Sequence, residues 1–138
     1  MNIISDLTSQ EREVLSNFKY RKNKAVIHSD ECTMPKNRKA WCSWNSSLNP
    51  NNNQQSSVTY WLNQLQNLKI NKNIFLTINP FFNINPDLIY NTIDFTHPYY
   101  DEKALKNQSK LSSIQNIKNT LYAGSYFGNG FHEDGIKS

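Results

Sequence analysis

Residues 122–135 read YAGSYFGNGFHEDG, and the interpretation of the whole chain starts from this stretch. It contains all four glycines of the 138-residue sequence: Gly124, Gly128, Gly130 and Gly135. The residues from 120 to 125 predict a short buried strand, the glycines predict a tight turn, and a helix is expected to begin near Phe131. A strand, a glycine turn and a helix can bring backbone amides close to a phosphate or an electron-rich ring oxygen. Such a turn serves a purely structural role at least as often.

Upstream of this stretch, the pattern of apolar residues predicts one β-sheet with flanking helices. Thr8 and Glu11 have the spacing of a capping box, which predicts a helix through about Ser16. A second helix is expected from Asp101 to about Gln115, with one apolar side. That side would consist of Leu105, Leu111 and Ile114. Alternating, aromatic or β-branched residues predict strands at 18–29, 40–45, 57–62, 73–79 and 88–97.

Two of these regions carry more specific expectations. The Asn-, Gln- and Ser-rich residues 45–56 predict a loop, because they are too polar to bury. In the strand at 88–97, Thr92, Asp94 and Thr96 share one face, which is typical of a sheet with a polar side that could line a cavity.

Composition narrows the class of protein. The chain has the size of one domain, and its net charge of +4 favours a weak attraction to phosphate or to an anionic, peripheral membrane surface. Cys32 and Cys42 match no metal or redox spacing, which indicates a reduced, cytoplasmic protein. His28 and His97 have no carboxylate or cysteine at ligand spacing, so no metal site is expected. No apolar run reaches about 20 residues, and the first residues lack a signal pattern.

The glycine-rich stretch resembles the C-terminal FAD signature of flavin amine oxidases, through Ala123-Gly124 and then GFHEDG at 130–135. More narrowly, it is similar to a bacterial group described as predicted NAD/FAD-binding proteins, which end in a similar helix. The likeness extends upstream through much of the chain. It includes residues 20–30, 34–35, 41–45, 58–68, 77–80 and 96–98.

The resemblance implies an α+β fold in two parts. Residues 1–118 would form a portion of a substrate-binding domain, with a mostly antiparallel sheet and flanking helices. Residues 119–138 would form the C-terminal strand, turn and helix of an FAD-binding domain. No Gly-x-Gly-x-x-Gly follows any predicted strand, so the N-terminal dinucleotide-binding half would be missing. The sequence stops at Ser138, within its last predicted helix, and we expect a fragment truncated at both ends.

The resemblance also implies a set of residues that contact FAD. The set is Gly124, Ser125, Tyr126, Gly128, Gly130, Phe131, His132 and Glu133. Amides of Gly130, Phe131 and His132 would stabilise the negative charge that a reduced flavin gains near N1 and O2. Phe131 would lie beside the flavin ring or, alternatively, pack in the core. Glu133 and Asp134 suit hydrogen bonding to ribityl hydroxyls and local capping equally well.

The function implied is transfer of a hydride from a substrate C–H bond to flavin N5, on a lipid-like or unsaturated fatty-acyl substrate. His132 is a weak candidate for proton transfer, since a lone histidine at a helix start is more often a hydrogen-bonded spacer. The isolated piece is expected to be inactive. Two alternatives stay open. One is a stand-alone module that binds single-stranded nucleic acid, although no RNA-binding motif appears. The other is a non-catalytic remnant held together by a partner chain.

Overall fold

The computed structural model describes residues 4–138, and it confirms the predicted α+β class. Five strands form one antiparallel sheet in the order β2-β3-β4-β1-β5. The strands are β1 (Lys19–His28), β2 (Trp44–Asn49), β3 (Asn52–Trp61), β4 (Phe75–Ile78) and β5 (Ile89–Tyr99). The α-helices of the described residues are α1 (Ser9–Leu15), α2 (Leu62–Leu65), α3 (Glu102–Gln108) and α4 (His132–Lys137). None of these helices is both long enough and apolar enough to cross a bilayer.

The chain divides into two compact units. Lys22–Phe95 forms one, here called the sheet unit, and the described residues up to Arg21 form the other together with Thr96–Ser138, here called the terminal unit. The predicted boundary between residues 118 and 119 lies inside the terminal unit. The assignment of residues 119–138 to an FAD-binding domain stays a prediction.

The sheet unit buries an unusually polar face. Val26 and Phe75 supply apolar area on this face, as expected for the half-buried end of β1. The remaining buried positions on this face are polar: His28, Asn45, Ser57, Thr59 and Thr77. Buried polar groups are tolerated only when they are hydrogen-bonded, so the stability of this face depends on pairing between side chains.

That pairing is a linear chain across three strands. The Asp30 amide donates to Nδ1 of His28 at 3.2 Å, so this nitrogen carries no proton. Nε2 of His28 must then carry the proton, and it donates to Oγ1 of Thr77 at 2.7 Å. Oγ1 of Thr77 lies 2.9 Å from Oγ1 of Thr59, which continues the chain into β3. The buried imidazole is therefore neutral, with one fixed tautomer.

The terminal unit has a separate apolar core. Val14, Leu111 and Ile114 are each at most 2% exposed. Partly buried residues pack around these three, and they include Leu15, Phe18, Ile117, Tyr122, Tyr126 and Phe127. The capping box that begins α1 is confirmed. The Thr8 amide and hydroxyl both donate to Glu11 Oε2, at 2.7 and 2.6 Å, and the Thr8 side chain accepts from the Glu11 amide.

The prediction of a loop at 45–56 was wrong. These residues form the hairpin of β2 and β3, with Ser47 opposite Ser57 and Leu48 opposite Ser56. Most of the polar side chains of the hairpin are exposed, so it is held by backbone pairing and needs no apolar face there. The strand predicted at 40–45 begins later than expected, because β2 spans Trp44–Asn49. A 3-10 turn at Arg38–Ala40 precedes β2, because the Asn37 side chain accepts from the Lys39 amide.

The helix predicted from Asp101 to about Gln115 was too long. Asp101 does cap it, accepting from the Ala104 amide at 2.8 Å, but α3 ends at Gln108 and a 3-10 turn follows at Leu111–Ile114. Leu105 is 53% exposed, while Leu111 and Ile114 are buried. Ala104 takes the buried position on α3.

The strand predicted at 120–125 does not form. The Gln115 side chain pairs with the backbone of Tyr122 instead, accepting from its amide at 2.9 Å and donating to its carbonyl at 3.0 Å. The chain before it turns sharply, with positive φ at Asn116, Lys118 and Asn119. Leu121 is 74% exposed, so the segment is not buried either.

The neutral state of His28 predicts a pH-dependent stability. Burial lowers the pKa of His28 below its ordinary 6.5, outweighing the opposite effect of nearby Asp30. As the pH falls below about 6.5, the unfolded chain binds this proton more readily than the folded one, so the free energy of unfolding falls. Above that pH the neutral His28 makes its full contribution to the free energy of unfolding.

Urea unfolding at about pH 7.5 and about pH 5.5 should show this loss of stability. The loss should be smaller in His28→Gln. It should be unchanged in the control His97→Gln, because His97 is exposed. Asp30 does not interfere in this window. Despite partial burial, hydrogen bonds from the Asn85 and Cys32 amides lower its pKa from 3.8. An unchanged pH dependence in His28→Gln would contradict the assignment.

The break after α3 predicts different costs for two leucines. Leu111→Ala should lower the free energy of unfolding by about 2–5 kcal/mol, because Leu111 is 1% exposed in the core. Leu105→Ala should change it by less than about 0.5 kcal/mol, because its side chain lies in solvent. Chemical denaturation of both variants measures the difference. Equal losses would indicate that the helix continues through residue 111 with Leu105 on its buried side.

Candidate cofactor-binding segment

The glycine-rich stretch, residues 122–135, forms a 3-10 turn at Ser125–Phe127, a second bend, and then α4. The predicted helix start near Phe131 is confirmed, since Phe131 is the N-cap of α4. Gly124 and Gly130 have φ angles of +150° and +94°, which side chains rarely adopt. A Cβ atom on Gly124 would lie 2.6 Å from the Tyr126 ring, and one on Gly130 would lie 3.0 Å from the Tyr100 ring.

The second bend closes around the Asp134 carboxylate. Oδ2 of Asp134 accepts from the Asn129 amide at 3.0 Å and from the Phe131 amide at 2.9 Å. A Cβ atom at Gly128 would collide with this same carboxylate. The glycines thus make room for side chains of their own unit, and this packing accounts for them without any ligand.

These contacts decide which amides of the predicted site are available. The Gly130 amide donates to the Ser125 carbonyl at 3.2 Å, and the Phe131 amide donates to Asp134. The His132 amide, in the first turn of α4, is the remaining member of the predicted set. Of the two roles considered for the acidic residues, Asp134 performs local capping, while Glu133 forms an exposed ion pair with Lys137 at 3.0 Å.

The turn is anchored to the core from two sides. Nε2 of Gln108, at the end of α3, donates to the Gly128 carbonyl at 2.6 Å and to the Tyr126 carbonyl at 3.2 Å. The Tyr126 ring packs at 5.3 Å from Phe18 and 5.1 Å from Phe127. Tyr126, a predicted cofactor contact, is therefore a packing residue of the terminal unit. Ser125 contributes its backbone carbonyl to the turn.

Large apolar side chains in the glycine-rich stretch and directly beside it are exposed to solvent. Leu121 is 74% exposed, Phe131 is 68% exposed and Ile136 is 80% exposed. The core-packing alternative for Phe131 is thereby excluded. His132 is also exposed, and among the hydrogen bonds of residues 4–138 none orients its ring for proton transfer. Within the same residues, no three His, Cys, Asp or Glu side chains are grouped to hold a metal.

Two cavities lie in the terminal unit. One of about 280 Å³ opens beside the turn and is lined by Phe127, Gly128, Asp134, Lys137 and Ser138. The other, of about 400 Å³, is mostly apolar and is lined by Ile4, Leu7, Leu15, Phe18, Tyr20, Tyr122 and Tyr126. The first is adjacent to the predicted site. Neither was predicted. The walls of the larger cavity come from residues far apart in the sequence, whereas those of the smaller one all lie within residues 127–138.

At the apolar cavity, the Tyr122 side chain makes a short polar contact. Its hydroxyl donates to Glu11 Oε1 at 2.8 Å. Burial, together with this contact to a carboxylate, raises the pKa of Tyr122 to about 12. Hydrogen bonds from Thr8 hold the pKa of Glu11 below its usual value. The pair is thus a neutral phenol bound to an ionised carboxylate at neutral pH.

The fit of the segment to FAD is partial. The exposed ring of Phe131, the His132 amide and the small adjacent cavity could meet one edge of a flavin. The other amides already have partners, and two carboxylates nearby disfavour a pyrophosphate. Any larger part of the cofactor would need groups from elsewhere.

The sequence matches no model of a known protein family, and it has no significant match among curated proteins.

The glycine conformations predict opposite effects of two alanine substitutions. Gly130→Ala should destabilise the protein by about 1–3 kcal/mol, since φ is +94° and the new methyl group would press on Tyr100. Gly135→Ala should stabilise it by about 0.5–1 kcal/mol, because Gly135 lies inside α4 and a Cβ atom there would make ordinary contacts at 3.5 Å. Thermal unfolding measures both changes, and the same sign for both would contradict the turn geometry.

Proposed function

We propose that this chain supplies the closing segment of an FAD-dependent oxidoreductase of the amine-oxidase type, and that it binds the flavin together with a dinucleotide-binding half. Its own sequence contains no Gly-x-Gly-x-x-Gly after a strand to perform that role. The resemblance of residues 130–135 to the flavin signature motivates the proposal. The observation that carries it is the exposure of three large apolar side chains in and beside that segment.

Leu121, Phe131 and Ile136 lie within 16 residues of one another in the sequence, and each is at least 68% exposed. Covering apolar surface contributes about 25 cal/mol for each Å² removed from water, so three such side chains favour a partner surface. Singly exposed apolar residues are common, whereas a contiguous exposed apolar patch more often marks an interaction site. A flavin edge and the missing half would cover them together.

The bound flavin would supply the acceptor for a hydride from a substrate C–H bond. Phe131 would flank its ring, and the His132 amide would donate toward a ring oxygen at the start of α4. Asp134 would hold the neighbouring amides in position. Because Asp134 and Glu133 are both acidic, the pyrophosphate of FAD would be bound by the other half and not by this turn.

The proposed substrate is lipid-like or an unsaturated fatty-acyl compound. The apolar cavity of about 400 Å³ in the terminal unit supports this class, because its size and lining suit part of an alkyl chain. The ionised Glu11 beside Tyr122 would favour an uncharged portion of the substrate in this cavity. We propose a cytoplasmic location, in keeping with two free cysteines.

A flavin titration tests this assignment. The purified chain should be colourless, and riboflavin, FMN and FAD should bind it with equal and weak affinity, because the chain contacts the ring and not the pyrophosphate. Quenching of flavin fluorescence measures the three dissociation constants. Phe131→Ala should weaken all three several-fold, whereas Leu105→Ala, an exposed leucine on α3, should change none.

Two results would count against the proposal. Tighter binding of FAD than of riboflavin would mean that this chain holds the pyrophosphate itself. No binding of any flavin, combined with salt-sensitive binding of a single-stranded oligonucleotide, would favour the nucleic-acid module.

A further inference from the structure

A polar network in the sheet unit surrounds a cleft of about 240 Å³. The Trp61 indole N–H donates to Asn73 Oδ1 at 3.2 Å, and Nδ2 of Asn73 donates to Glu31 Oε1 at 2.7 Å. Nη2 of Arg38 donates to the same Glu31 oxygen at 2.8 Å. These contacts hold three separate segments together around the cleft, so its polar groups have fixed orientations.

Aromatic rings form the other wall. Trp41 and Trp61 meet edge to face, with ring centroids 5.3 Å apart and planes at 87°. The Trp41 indole N–H donates to the Pro35 carbonyl at 2.8 Å, and the Arg38 guanidinium lies 4.9 Å from the Trp41 ring. Both tryptophans are partly exposed at the cleft. Neither ring can turn without losing its hydrogen bond, so the wall is rigid.

The cleft has hydrogen-bonding capacity left over but no unbalanced charge. Its lining consists of Arg38, Trp41, Trp61, Asn71 and Asn73, and the Arg38 charge is matched by its ion pair with Glu31. The ion pair uses only Nη2 of the Arg38 guanidinium, which carries five N–H donors. The exposed Asn71 offers both a donor and an acceptor. This balance disfavours phosphate or carboxylate ligands and favours a neutral molecule rich in hydroxyl groups.

We propose that this cleft binds a neutral saccharide ring of the pyranose class. The C–H groups on one face of a pyranose carry partial positive charge and pack on the electron-rich face of a tryptophan, while its hydroxyl groups both donate and accept. Arg38 and Asn73, held by their contacts with Glu31, and the exposed Asn71 supply the matching donors and acceptors. The cleft volume suits a single ring. The site lies in the sheet unit and is independent of the flavin proposal.

The three tryptophans of the chain provide a direct test. In a ¹H–¹⁵N spectrum, methyl pyranosides should shift the indole signals of Trp41 and Trp61 and leave that of Trp44, which is 65% exposed and outside the cleft. For a ligand of this size we expect a dissociation constant on the order of 1 mM for the best sugar of a panel. Asn71→Ala should weaken binding at least several-fold, because it removes two hydrogen-bonding groups.

Asn53→Ala is the matched control, since Asn53 is an exposed asparagine on β3 that does not line the cleft. It should bind the sugar as the unchanged chain does. Three outcomes would overturn the proposal: no shift with any pyranoside at roughly twenty times the expected dissociation constant, equal shifts at all three indoles, or shifts with nucleosides but not with pyranosides. Because Asn71 is exposed, its loss should leave the fold and the spectrum intact.

Discussion

The terminal unit depends on one buried carboxylate. Glu11 is 2% exposed and accepts three hydrogen bonds, from the amide and hydroxyl of Thr8 and from the hydroxyl of Tyr122. A buried charge is stable only when its oxygens are fully paired, so these donors must be in place together. The contact joins the start of α1 to a segment 111 residues later. Tyr126 and Phe127 follow that segment into the core, and the glycine turn follows them.

The sheet unit also buries polar side chains, but they are uncharged. Its buried face carries a histidine, two threonines, a serine and an asparagine where aliphatic residues would be usual. The chain from His28 through Thr77 to Thr59 satisfies three of these groups across neighbouring strands. Ser57 donates instead to the Ile78 carbonyl, and Asn45 donates to the Cys42 carbonyl. Hydrogen-bonded partners of this kind specify register, because a shift by one residue would leave each of them unpaired.

Local signals in the sequence predicted much of this fold, and nonlocal contacts account for most of the errors. The capping box of Thr8 and Glu11 was predictable because its chemistry lies within four residues. The end of α3 was not, because no glycine or proline marks the break after Gln108 in the sequence. Most of the hairpin at 44–61 was not predictable, because its polar residues favour a loop when only the sequence is considered.

The candidate site was predicted in part for the same reason. The turn and the start of α4 follow from glycines and local capping, which are visible in the sequence. The partners that occupy the space around those glycines are Tyr100, Tyr126 and Asp134, and of these Tyr100 is 30 positions from Gly130 in the sequence. The tryptophan cleft likewise depends on Asn73 reaching Glu31, a contact that no short motif records.

The pairing of Gln115 with Tyr122 has a consequence for how this chain can associate. The Gln115 side-chain amide donates to the carbonyl of Tyr122 and accepts from its amide, as the backbone of a neighbouring strand would. While this pairing holds, neither the amide nor the carbonyl of Tyr122 is open to a strand from another polypeptide.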